Sequence, residues 1–168
     1  SDLKNIMKKL ILIDGMSGAG KTTTTKFLLE KLPRTAHIGM DVIKKFISDF
    51  ERGTRDNAIA RVVTLAMAQK YLELGISVIV DQPFKTEESI TEYEALAKLH
   101  NISFFKFQLH ADPEIALKRV MERTKRNKGD LTVERAQSNI AGFALREHLG
   151  FTIIETTSLS PEAASGII

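Results

Sequence analysis

The chain has 168 residues, 43% of them hydrophobic and 27% charged, the composition of one globular domain long enough to bury a core without staples. It has no cysteine, which excludes a disulfide framework, a thiol nucleophile and a cysteine-ligated zinc. A net charge of +3 permits a phosphorylated partner but is too mild for a protein that coats nucleic acid.

No stretch approaches the roughly 18 apolar residues of a membrane span. Two lysines precede Leu10-Ile11-Leu12-Ile13, but that run is too short for a signal-peptide core and leads straight into glycines. The expectation is a cytoplasmic protein in a reducing compartment.

Residues 10–13 form a continuous apolar run ending in Asp14-Gly15 and read as a buried strand. Residues 20–31 read as a helix, stopped by Pro33, and 36–38 as a weak second strand. Val42, Ile43, Phe46, Ile47 and Phe50 have helical spacing, so a helix is expected over 42–50. After a loop at 51–54, a long helix over 57–74 ends at Gly75. A β-branched strand over 76–80 ends at Asp81. A helix over 86–100 and a strand over 102–109 follow. Pro113 suits the first turn of a helix running to about residue 126. Then come a polar loop at 127–131, a helix over 133–149 stopped at Gly150, a last strand over 151–154, and a terminal helix opened by Ser160-Pro161-Glu162.

Strands alternate with helices throughout, and most strands are apolar along their whole length. That pattern predicts an α/β fold: a three-layer sandwich around a doubly wound, mainly parallel five-stranded sheet with helices on both faces. No repeat or interdomain linker interrupts it, so residues 1–168 are expected to form a single domain.

Gly15-Met16-Ser17-Gly18-Ala19-Gly20-Lys21-Thr22 fits G-x-x-x-x-G-K-[ST] at every fixed position, between a predicted strand and a predicted helix. Glycines let the backbone curl so that successive N–H groups point inward at phosphate oxygens. The helix N-terminus adds partial positive charge. Lys21 neutralises the β- and γ-phosphates, and Thr22 can ligate Mg²⁺. The loop and its first helical turn, through Thr23, are the candidate nucleotide site.

Two fragments fit a different class. Asn127-Lys128-Gly129-Asp130 matches the N-K-x-D element with which GTPases read guanine, and Glu155-Thr156-Thr157-Ser158 resembles their E-T-S-A loop. Against a GTP-binding switch, the N-K-x-D match follows the charged stretch Met121-Glu122-Arg123-Thr124-Lys125-Arg126 rather than an apolar strand. The D-x-x-G element is also absent after Val80, where the chain reads Asp81-Gln82-Pro83-Phe84.

With its G-x-x-G-x-G-K-T loop and the order of its further motifs, the chain resembles the P-loop kinases of small substrates. That group spans nucleoside monophosphate kinases, gluconate and shikimate kinases, chloramphenicol phosphotransferase, zeta toxins and polynucleotide 5′-hydroxyl kinases. The resemblance covers nearly the whole chain. It implies an ATP-dependent phosphotransferase using ATP and Mg²⁺, with a hydroxyl or a phosphate of a small molecule, nucleotide or polynucleotide as acceptor.

Asp41, in His37-Ile38-Gly39-Met40-Asp41, stands where the group places a carboxylate that takes the acceptor's proton. An Asp ahead of a helix is also a helix cap. Asp81 ends Val78-Ile79-Val80 and looks like a Walker B acid able to hold Mg²⁺, although a turn residue is the alternative. The stretch from Asp81 to Thr86 loosely resembles the D-G-F-P-R-T of nucleoside monophosphate kinases, departing at Gln82 and Lys85. Arg119 and Arg123 share a helix face leading to a short lid at about 124–131. In the group the first such arginine stacks on adenine and the second reaches the phosphates, and Arg126 is a further candidate. A solvated basic face is the alternative.

The segment 156–161 corresponds to the loop that cradles adenine. Lys44, Arg52, Arg55 and Arg61 suggest an anionic acceptor. His37, His100, His110 and His148 have no metal-ligand spacing and read as structural.

Overall fold

The computed structural model describes residues 7–126 and 131–168. Among these, β1 (Lys9–Gly15), β2 (Thr35–Gly39), β3 (Ser77–Asp81), β4 (Ser103–His110) and β5 (Thr152–Glu155) form one sheet in the order β2-β3-β1-β4-β5. The pairs β2·β3, β3·β1 and β4·β5 are parallel, with Ile11 opposite Ile79, His37 opposite Ile79 and Leu109 opposite Ile154. Leu10, Leu12, Ile13, Val78, Ile79 and Val80 are all fully buried. A strand apolar on both faces needs a cover on both faces, which is why the alternating chain becomes a doubly wound sheet.

The helices are α1 (Lys21–Lys31), α2 (Met40–Lys44), α3 (Thr54–Glu73), α4 (Glu87–Leu99), α5 (Pro113–Arg126), α6 (Val133–Ala141) and α7 (Pro161–Ile167). The chain divides into two compact units, residues 1–13 with 32–106, and residues 14–31 with 107–168.

In the first unit, α3 turns Ala60, Thr64, Ala68 and Leu72 inward at intervals of four and packs on β2 and β3. Small residues at most of these positions let the helix approach the strands closely. At its start, buried Asp56 accepts the Glu51 N–H at 2.6 Å and the Arg55 Nε–H at 3.4 Å. That backbone donor, together with Arg55, holds its carboxyl below the usual carboxylate range despite burial. Thr86 caps α4 by accepting from the Ser89 N–H. Phe84 packs edge-on against Tyr93 at 5.9 Å, fixing the chain just after β3.

In the second unit, α1 packs on α7 and α5 on α6. Asp112 Oδ1 accepts from the N–H groups of Glu114 and Ile115 ahead of Pro113, Thr132 caps α6, and Ser160 caps α7.

Two helices are shorter than their apolar spacing predicts. The helix expected over 42–50 ends at Lys44, because the next three N–H groups bond three residues back, from Lys45 to Val42, Phe46 to Ile43 and Ile47 to Lys44. The helix expected over 133–149 ends at Ala141. There the Ala144 carbonyl and the Arg146 N–H both turn to the buried side chain of Gln108, and helix resumes only as a 3-10 turn over Glu147–Leu149.

Candidate active site

The P-loop leaves β1 through two glycines with left-handed backbone, Gly18 (φ 80°) and Gly20 (φ 90°). A side chain there would be strained, and a Cβ on Gly18 would also lie 2.1 Å from the Ala116 carbonyl of α5. Gly15 is needed for close approach, since its Cβ would meet the Leu109 carbonyl at 2.8 Å and Lys21 Cγ at 3.0 Å. The Ala19 N–H closes the turn on Met16 O at 3.1 Å. The curled backbone then runs into the N-terminus of α1, where Lys21 is half-buried and Thr22 and Thr23 are exposed. This is the geometry of an anion cradle.

Beside the cradle lies a cavity of about 260 Å³. Gly18, Ala19, Gly20, Thr23 and Thr24 line one side, and Arg119, Arg123, Thr156, Leu159 and Pro161 line the others. The loop, the two helix arginines and the 156–161 segment are therefore brought together, as the motif order predicts. Arg119 donates to the carbonyls of Gly18 at 3.3 Å, Thr156 at 2.8 Å and Thr157 at 3.2 Å. Its guanidinium edges are thus held in place, leaving its flat faces for stacking. Thr156 donates its hydroxyl to Ala19 O at 2.9 Å. Arg123 is exposed at the cavity rim.

Asp41 and Asp81 belong to the other unit. Asp41 lies inside the first turn of α2 and is 78% exposed. The N-cap is Gly39, with no side-chain hydrogen bond, so the capping alternative for Asp41 is overturned. Asp41 instead pairs with Lys44 Nζ at 3.0 Å, and that nearly buried ammonium also donates to Asn57 Oδ1 at 3.0 Å. Asp81 ends β3, 3.4 Å from His37 Nε2. Arg55 pairs with Asp56, and Arg61 with Glu88 and Glu92, so both have structural work within their unit. His110 pairs with Glu155 at 2.7 Å. Partial burial raises the Glu155 carboxyl, but hydrogen bonds from His110 and Thr157 outweigh it and hold the group low.

No group of three or more His, Asp or Glu among the described residues is arranged to hold a metal. Thr22 in one unit and Asp81 in the other each carry an oxygen donor of the hard kind that suits Mg²⁺. The 127–130 guanine-reader match, and with it half of the lid expected at about 124–131, falls outside the described residues.

Sequence reasoning passed over Asp14, Gln108, Asn139 and Arg146. The Asp14 carboxylate is buried beneath the loop. It accepts from Gly15 N–H at 2.7 Å, Gln108 Nε2 at 3.3 Å and Arg146 Nε at 2.5 Å. Asn139 Oδ1 accepts the Ser17 N–H at 2.8 Å. The one available signal was Gln108, a polar residue between Phe107 and Leu109 in β4, which demands a buried partner.

The sequence matches the family model of an AAA domain over residues 10–147. No curated protein matches it significantly. Among solved structures, the chain is similar to Chaetomium thermophilum Kti12 in complex with ADP-AlF3, with a TM-score of 0.71 at 16% identity, over 95% of this chain and 94% of that one. It is similar to Mycobacterium tuberculosis APS kinase CysC in complex with AMPPNP and APS, with a TM-score of 0.70 at 15% identity, over 96% and 95%. It is also similar to a chain of the Pnkp1/Rnl/Hen1 RNA repair complex, with a TM-score of 0.65 at 15% identity. That match covers 82% of this chain, which spans only 45% of the larger one. At these identities the likeness establishes the fold, and the α/β P-loop NTPase fold expected from the sequence is borne out. No described helix is long and apolar enough to cross a membrane.

Proposed function

Because the chain belongs to the AAA domain family, we propose that it is an ATP-dependent kinase that moves the γ-phosphoryl group of MgATP to a small-molecule, nucleotide or polynucleotide acceptor in the cytoplasm. The observation that carries this reading is the phosphate cradle opening directly beside the cavity walled by Arg119, Arg123 and the 156–161 segment. Two of the similar structures hold ADP-AlF3 or AMPPNP, which supports ATP as donor.

In this reading the amides of Gly15, Met16, Ser17, Gly18, Ala19 and Gly20 shape the cradle, and those nearest α1 face the phosphates with Thr23. Lys21 neutralises the β- and γ-oxygens. Arg119 lays its flat face on the adenine, and Arg123 meets charge that develops on the transferring group. Thr22 and Asp81 would hold Mg²⁺, which when bound neutralises phosphate charge. Asp41 takes the proton of a hydroxyl acceptor. Lys44, paired with it at 3.0 Å, orients that carboxylate. The chain is one kinase module with a short lid at about 124–131.

The test is calorimetric titration with MgATP and MgGTP, followed by a metabolite and oligonucleotide screen for ATP consumption. MgATP should bind at least as tightly as MgGTP. Strong GTP selectivity lost in Asp130→Ala would replace the kinase with a GTP-binding switch.

A further inference from the structure

The P-loop is held from two sides, and we infer that Asn139 on α6 is a positioning residue that keeps its first half in the nucleotide-binding conformation. The functional consequence rests on the phosphotransferase reading above; the mechanical one does not. Residues 18–20 lean on α5 and on the chain after β5, through Gly18 against Ala116, Arg119 on Gly18 O, and Thr156 on Ala19 O. Residues 14–17 lean instead on α6 and the chain after it. Asp14 is fixed by Arg146, and the Ser17 N–H is taken by Asn139 Oδ1 at 2.8 Å. Between these two ties, Met16 is 2% exposed and shares a second cavity's wall with Ile140, Ala141 and Phe143.

Ser17 immediately precedes Gly18, whose φ of 80° sets the direction of the amides that follow. A peptide plane next to a glycine turns easily, and a turned plane would point a carbonyl where the cradle needs an N–H. The bond to Asn139 fixes the Met16–Ser17 plane immediately ahead of that one, so the Ser17–Gly18 plane starts from a set position before any nucleotide arrives, which is preorganisation of the anion site. The packing of α6 does not need the side chain: Asn139 is exposed, while Ala136 and Ile140 bury the helix. Arg146 is a poorer probe, because its loss strands the buried Asp14 carboxylate and threatens the fold.

The experiment compares wild type, Asn139→Ala and Asn139→Asp as the full chain. It follows amide exchange of Ser17 by NMR without nucleotide, then MgATP binding by calorimetry. In Asn139→Ala the Ser17 amide should exchange about tenfold faster or more with the melting temperature nearly unchanged, and MgATP should bind about two- to tenfold more weakly, the net worth of one hydrogen bond. Asn139→Asp keeps an acceptor, so it should restore the protection. Its MgATP affinity should approach wild type at high salt, where the added charge is screened. Unchanged Ser17 exchange in Asn139→Ala overturns the inference. So does lost protection with undiminished affinity, or a fall in melting temperature shared by both variants. Failure of wild type to bind MgATP would defeat the kinase reading alone, since the exchange arm needs no nucleotide.

Discussion

Arg119 and Thr156 are joined at 2.8 Å by a guanidinium-to-carbonyl hydrogen bond, and the Thr156 hydroxyl donates in turn to Ala19 O at 2.9 Å. One side chain thus spans the P-loop and the chain after β5. A planar fork reaches three carbonyls where a lysine ammonium on a flexible stem cannot hold the same spread. Arg119→Lys should therefore weaken MgATP binding about tenfold, roughly 1.4 kcal/mol, while leaving the turnover of bound ATP nearly intact. Calorimetry beside single-turnover kinetics separates the two; unaltered affinity would make Arg119 a structural strut only.

Arg123 should behave in the opposite way. It sits at the exposed rim of the same cavity, one helical turn on. A group that acts on charge developing in the transition state lowers kcat and kcat/KM together when removed. Arg123→Ala should show that pattern with MgATP affinity little changed, measured with whichever acceptor the screen identifies. Full activity in the variant would return Arg123 to a solvated basic face.

The cradle itself gives the simplest measurement. Lys21 is the cation of the loop, so Lys21→Ala should abolish stabilisation by MgATP. In wild type that stabilisation should be about 2.7 kcal/mol at a hundredfold excess over Kd. Thermal unfolding with and without MgATP reads it directly, and an equal shift in both proteins would contradict the role.

Periodicity and punctuation made most of the fold legible. The start of α5 at Pro113, the opening of α7 at Ser160-Pro161 and the strand ending at Asp81 all follow from local signals. Over 42–50 the helix gave way to local bonds three residues back, whereas over 133–149 the reading failed because the chain there obeys distant partners. Residues 143–149 keep helical spacing, yet Gln108 and Asp14 draw Ala144 and Arg146 out of the helix. Buried polar groups must be satisfied, and that demand outweighs propensity over a few residues. The nucleotide half of the site was legible because one motif encodes both loop and helix. Asn139 was not, because its partner lies 122 residues away in sequence.

Asp56 predicts an acid-sensitive term in stability. Its folded carboxyl lies below its unfolded value of 3.8, chiefly through the Glu51 N–H. A depressed carboxyl stabilises the fold above the unfolded pKa, and that contribution disappears as pH falls through the lower folded value. Asp56→Asn should thus be less stable than wild type at pH 7, with the gap closing below pH about 4. Urea unfolding at stepped pH follows the difference. A gap constant with pH would mean that shape, not charge, holds the 51–56 loop.

The acceptor side turns on Asp41. Its side chain is exposed in the first turn of α2, where Gly39 and not Asp41 is the cap, so the aspartate is free to serve chemistry. Replacing it with asparagine removes the charge partner of the nearly buried Lys44 ammonium from the exposed side, but the amide oxygen can still accept and Lys44 keeps its bond to Asn57, so the cost should stay within about 1 kcal/mol. The site follows β2, at the carboxyl edge where doubly wound sheets gather their ligands. Asp41→Asn should then leave MgATP binding and melting temperature nearly unchanged while slowing phosphoryl transfer by roughly 10²–10⁴-fold, the usual loss of a general base. Asp41→Glu, with the base displaced by one methylene, should fall between. The outcome also classifies the acceptor. An alcohol must lose a proton as the phosphoryl group moves, whereas a phosphate is already ionised at neutral pH. Normal transfer in Asp41→Asn would therefore exclude the carboxylate from proton transfer and favour a phosphate acceptor, bringing the chain closer to nucleotide kinases than to kinases of alcohols.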